Sequence, residues 1–214
     1  MLKNMLLAGA AILWIAGTAH AVPVTQGGGF TVDYALPGAG SGPALMATAV
    51  YSNFNFVTPT RLTFNLSLTN TTSSGGSNPY TSARLTAFGW DTAPVATAAT
   101  DSSGIYSSAT NTNLSSNHVD VCIYGGSNCN GGGNGGLAIG ESTSFTETLT
   151  FSAAVPPLSF TDFYAKFQTN AGSVEGSGTV RGTPSPSPVP EPMSLALLGV
   201  GLAGIGLTRA RKAA

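Results

Sequence analysis

Residues 61–69 alternate without a fault. Leu62, Phe64, Leu66 and Leu68 take one side, and Arg61, Thr63, Asn65, Ser67 and Thr69 take the other. A repeat of two sends successive side chains to opposite faces of an extended chain, whereas a helix would scatter these four apolar residues around its circumference. The stretch can bury its apolar side only as a strand with one face on a core and one on water. That half-wet arrangement is characteristic of antiparallel sheets.

The same signal recurs along the chain. Phe30, Val32 and Tyr34 alternate with Thr31 and Asp33, and residues 46–57 form a longer run containing Val50, Tyr51, Phe54 and Phe56. Residues 82–90 read as a strand ended by Asp91. Val119, Val121 and Ile123 alternate with His118, Asp120 and Cys122; Phe163, Ala165 and Phe167 mark another strand, and 174–181 a last one weakened by glycine. In 144–151, Phe145, Leu149 and Phe151 keep phase, but Glu147 falls among them. A carboxylate on the apolar side predicts a bulge or an exposed edge there. No stretch between residues 22 and 189 shows a helical period. The reading is all-β: seven to nine antiparallel strands in a β-sandwich, jelly-roll or Ig-like, with strand order open.

Charge narrows the partners. Between residues 22 and 189 the cations are Arg61, Arg84, Lys166 and Arg181, against Asp33, Asp91, Asp101, Asp120, Glu141, Glu147, Asp162 and Glu175, a net of −4. No basic patch attracts nucleic acid. Gly, Ser, Thr and Asn fill the space that charge leaves, a β-rich, secreted composition.

Cys122 and Cys129 are the only cysteines. In an exported chain an even count implies a disulfide, here closing a hairpin-like loop whose turn Gly125 and Gly126 permit. Zinc is the competing reading, but only His118 could join the pair, and structural zinc usually takes four such ligands. The Gly/Asn run at 130–136 lacks the carboxylates of a calcium turn. It and Gly27-Gly28-Gly29 open no helix, and no Gly-Lys-Ser/Thr follows, so neither is a phosphate loop. No cofactor or metal ligand is expected.

His118 and Asp120 are two apart, hence on one strand face, where a carboxylate could orient an imidazole. No nucleophile can be assigned to them, and a solvated polar face explains them as well. Asp91, Asp101 and Asp120 fit turns equally well. No catalytic residue is assigned. An exposed aromatic is the usual handle by which a sandwich holds sugar, and Trp90 and Tyr124 are the candidates.

The two ends are of a different kind. Residues 1–21 carry Lys3, an apolar run from Met5 to Ala16, and Ala19-His20-Ala21, the three regions of a secretory signal peptide with cleavage after Ala21. The β-domain is read over 22–182 and a Pro/Ser linker over 183–188. Prolines at alternate positions there cannot join a central strand, so the linker is expected to be extended and unpacked. Residues 189–214 hold Pro190-Glu191-Pro192, then Leu195, Leu197, Leu198, Leu202, Ile205 and Leu207 with four glycines between, then Arg209, Arg211 and Lys212. Residues 193–208 span about 24 Å as a helix, against roughly 30 Å of hydrocarbon, so the run is a short membrane anchor with its cations on the cytoplasmic side.

That order of features resembles the C-terminal signal of the PEP-CTERM family. The middle, through Ala87-Phe88-Gly89-Trp90-Asp91-Thr92, Asp120-Val121-Cys122-Ile123-Tyr124 and Gly176-Ser177-Gly178, resembles the cistern group of those proteins. The resemblance implies export from a Gram-negative bacterium through the secretion translocon, removal of the leader by signal peptidase, and transient anchoring in the inner membrane. An exosortase would then read Pro190, Glu191 and Pro192, and the protein would pass to the cell surface or the exopolysaccharide matrix. It implies no catalytic activity. The reading is a structural surface or matrix protein, with a carbohydrate-binding module as the alternative and a secreted hydrolase behind it.

Overall fold

The computed structural model describes residues 21–38, 43–73, 82–130, 135–170 and 177–186. Both terminal segments, the expected signal peptide up to His20 and the expected anchor with Pro190, Glu191 and Pro192, lie outside them. All regular structure among the described residues is strand: β1 (Val22–Pro23), β2 (Gly29–Leu36), β3 (Leu45–Thr58), β4 (Arg61–Asn70), β5 (Ser82–Ala93), β6 (Ala96–Asp101), β7 (Ser107–Leu114), β8 (Asn117–Tyr124), β9 (Ser142–Phe151), β10 (Ser159–Asn170), β11 (Gly178–Arg181) and β12 (Thr183–Pro186).

The strands form two six-stranded sheets. The first runs β1-β10-β5-β8-β7, with β11 also on β10; the second runs β12-β2-β3-β4-β9-β6. Every pairing is antiparallel. The alternation of residues 61–69 is obeyed: Leu62, Phe64, Leu66 and Leu68 are all buried and belong to one core cluster fed by both sheets. Aromatic rings join the layers. Tyr51 of β3 meets Trp90 of β5 edge-on at 5.4 Å, Phe30 of β2 meets Phe163 of β10 at 5.5 Å, and Phe64 meets Phe160 at 5.8 Å. Edge-to-face rings at such separations add to what area burial alone supplies.

Three expectations are corrected here. Glu147 sits neither in a bulge nor on an edge. The β4–β9 register runs unbroken from Arg61↔Thr150 to Thr69↔Ser142, β6 pairs on the other side of β9, and Glu147 is fully buried. Trp90 is not ligand-facing; it is fully buried among Tyr51, Phe64, Phe88 and Phe160.

The third correction concerns the linker. Its first part, Thr183–Pro186, is strand β12, paired to β2 through Thr183↔Asp33 and Pro186↔Phe30. Prolines at alternate positions put their missing donors along one side of the strand, and an edge strand has one side with no neighbour to serve. Pro184 and Pro186 therefore permit an outermost strand while excluding a central one.

Candidate functional site

The outer face of the first sheet gathers the sequence candidates. Cys122, in mid-β8, is bonded to Cys129 with 6.2 Å between the Cα atoms, a spacing ordinary for a disulfide. The two cysteines are thereby spent and cannot serve as thiolate ligands, which removes the zinc reading of the pair. Around them a small apolar cluster forms from Ala87, Leu114 and Val119, with Ala109, Tyr124 and Tyr164 packed on it. Tyr124 is half-buried there rather than standing out as a platform. Gly89 opposes Cys122 across the ladder, and a Cβ on it would lie 2.6 Å from the Val121 carbonyl oxygen, so only glycine lets the strands approach this closely. Alkylating the exported protein without reduction should label neither cysteine, as read by mass; two labelled thiols in fresh material would remove the bond. Reduction should cost roughly 2–3 kcal/mol, the chain-entropy figure for so short a loop.

At the end of this face the fold adds a residue that the sequence left apart. The β5–β8 pairing stops at Trp90↔Val121. Beyond it, side chains take over from the backbone. Asp91 Oδ1 accepts from the Asp120 amide at 3.0 Å, and Asp120 Oδ2 accepts from the Thr92 amide at 2.8 Å. His118, exposed, stands on the same strand face as Asp120 and shares a 2.9 Å hydrogen bond between Nε2 and Asn111 Oδ1. One ligand atom each from Asp91, His118 and Asp120 lie within 4.8 Å of one another. Burial raises the Asp91 carboxyl pKa, and the Asp120 and Asp162 carboxylates push it the same way, against the Asp120 amide and His118. Asp162 itself is ion-paired with Arg181.

A second polar group is buried in the second sheet, and the sequence marked only its oddity. Glu147 Oε2 lies 3.1 Å from Ser108 Oγ, which also lies 3.0 Å from Asp101 Oδ2. Asp101 Oδ1 accepts from Ser103 Oγ at 2.7 Å and from the Ser103 amide at 2.9 Å. A serine hydroxyl has one proton and can donate to one carboxylate only. Both Ser108 contacts are satisfied when Glu147 is a neutral acid donating from Oε2 to Ser108 Oγ, which in turn donates to Asp101. Burial raises the Glu147 pKa from 4.5 to about 8; the Ser108 hydroxyl opposes this and the Asp101 charge adds to it. The other oxygen, Oε1, is buried with no hydrogen-bond partner. This carboxyl is sealed from solvent, and its hydrogen-bond partner is a protein hydroxyl.

Comparison with curated proteins and with solved structures finds no match for the chain. Its far end does match: residues 188–212 fit the model of the PEP-CTERM protein-sorting motif, so the chain carries a signal for export, transient membrane anchoring and processing by an exosortase.

Proposed function

We propose that this chain is a non-catalytic protein of the cell surface or extracellular matrix, delivered by its C-terminal signal and associating there with exopolysaccharide. The observation that carries the delivery is the sorting motif over 188–212. What supports the association is the outer face of the second sheet. Paired positions Thr63↔Thr148, Asn65↔Thr146 and Ser67↔Ser144 present uncharged hydroxyls and an amide across β4 and β9. Such groups both donate and accept, as sugar hydroxyls do. With Trp90 in the core, this face is the surface that would meet polysaccharide in place of the aromatic platform expected for a sugar-binding module.

Deleting residues 189–214 should leave the melting transition unchanged while abolishing membrane association and processing, because every described strand ends by Pro186. Deleting from Thr183 should in addition lower stability, because it strips β12 from the edge of β2. Glu191→Ala should block processing if the carboxylate between the prolines is read. Cells with and without exopolysaccharide, fractionated and with the mature termini sequenced, give the result. Recovery of the mature domain in the periplasm regardless of polymer would overturn the matrix reading.

A further inference from the structure

We propose that Asp91, His118 and Asp120 form a binding site for a divalent cation of the zinc class on the outer face of the first sheet. Three donor atoms no more than 4.8 Å apart leave a point within about 2.8 Å of all of them, and a small inward movement brings that to zinc–nitrogen and zinc–oxygen distances of roughly 2.0–2.2 Å. The donor set is one imidazole and two carboxylates. An imidazole suits zinc and its neighbours in the first transition row better than magnesium or calcium. With a neutral imidazole the trio carries two negative charges, which a divalent ion balances.

The plainer account is that the two aspartates only staple the end of the β5–β8 ladder. It explains Asp91 Oδ1 and Asp120 Oδ2, the atoms that hold backbone amides. It does not account for His118, whose side chain holds no backbone group yet brings an imidazole nitrogen to within 4.8 Å of both carboxylates. Each carboxylate is fixed through one oxygen and has a second. With Asn111 Oδ1 as acceptor, His118 donates from Nε2, which leaves the lone pair on Nδ1. Metal-binding imidazoles are ordinarily held this way, by a hydrogen bond at the nitrogen that does not bind. Asp91 and Asp120 are held by backbone amides in the same sense. The exposure of His118 leaves the remaining coordination positions to water or to an oxygen of a partner molecule.

The test follows the His118 ring by NMR as zinc chloride is added to the purified full chain, with calcium chloride as a parallel arm. His118 is one of two histidines, the other being His20 in the leader. The expected result is a saturable shift of the His118 ring at one equivalent of zinc, absent with calcium. Asp91→Asn retains an amide oxygen for the Asp120 N–H but loses the charge. It should keep the metal-free melting temperature and weaken zinc at least about tenfold. Asn111→Ala removes the support of the ring and should weaken zinc roughly 10–100-fold. Should Asp91→Asn fold poorly, His118→Gln, at an exposed position, supplies the same loss of binding. No ring shift up to millimolar zinc overturns the site. So does zinc binding undiminished in both Asp91→Asn and Asn111→Ala, which would mark an adventitious contact with a lone surface histidine. Calcium saturating the trio without moving the ring would overturn the imidazole as a ligand.

Discussion

Unfolding free energy is expected to fall as pH rises from about 4.5 to about 8, and Glu147→Gln is expected to remove most of that slope. In the folded protein Glu147 keeps its proton up to about pH 8, while in the unfolded chain it loses it near 4.5. A group whose folded pKa is raised contributes stability that is whole below the unfolded value and lost as pH rises through the folded one. At 1.36 kcal/mol per unit, the loss by pH 8 is of order 3–5 kcal/mol, and most of it has occurred by pH 7. Of the groups facing Glu147, Asp101 of β6 repels its anion and reinforces the direction, while the Ser108 hydroxyl of β7 opposes it without outweighing burial. The Asp91 carboxyl shifts the same way and leaves a smaller slope behind. A glutamine can donate its amide hydrogen to Ser108 without ionising, so the variant should be the more stable protein at pH 8 and close to its parent at pH 4.5. Denaturant titrations of both proteins at pH 4.5, 6 and 8 decide it. A parent whose stability is flat over that range would show that Glu147 is charged in the fold. A variant that keeps the parent's slope would place the titrating group elsewhere.

How legible Glu147 was shows what a period of two can and cannot say. Its phase with Phe145 and Leu149 put the carboxyl on the apolar side, and that is where it lies. The inference that a charge there must break the strand failed, because a neutral acid with a hydroxyl to meet is tolerable, and that hydroxyl is 39 residues away. The Asp91–Asp120 contact likewise joins residues 29 apart and needed the β5–β8 pairing to be seen. Strands β6 and β7 escaped notice because, apart from Asp101 and Leu114 at their ends, they are built of Ala, Ser, Thr and Asn and lie at the edges of their sheets, where one apolar face is not required. Trp90 was misplaced for the opposite reason. Six consecutive residues of β5, Leu85–Trp90, are buried, because the disulfide cluster covers the outer face as the core covers the inner. With both faces dry, alternation no longer tells in from out.

Where alternation does tell them apart, the difference should be large. Phe64→Ala is expected to cost roughly 3–5 kcal/mol, and Asn65→Ala, its neighbour in sequence, within about 0.5 kcal/mol. Phe64 is fully buried, and four rings close on it: Phe54 at 5.3 Å, Phe160 at 5.8 Å, Tyr51 at 6.0 Å and Trp90 at 6.2 Å. They come from β3, β5 and β10 on both sheets, and each is held by other rings, so none can move into the space left behind without abandoning contacts of its own. The cavity therefore stays open, and its cost adds to the lost transfer energy. Asn65 points to solvent from the same strand and holds only a 3.3 Å hydrogen bond from Thr146 across the ladder, one that water replaces. Chemical denaturation of the two variants beside the parent reads the difference. A Phe64→Ala loss below about 1 kcal/mol would mean that the layers can close over the gap, and the aromatic contacts joining the two sheets would then not be what holds them together.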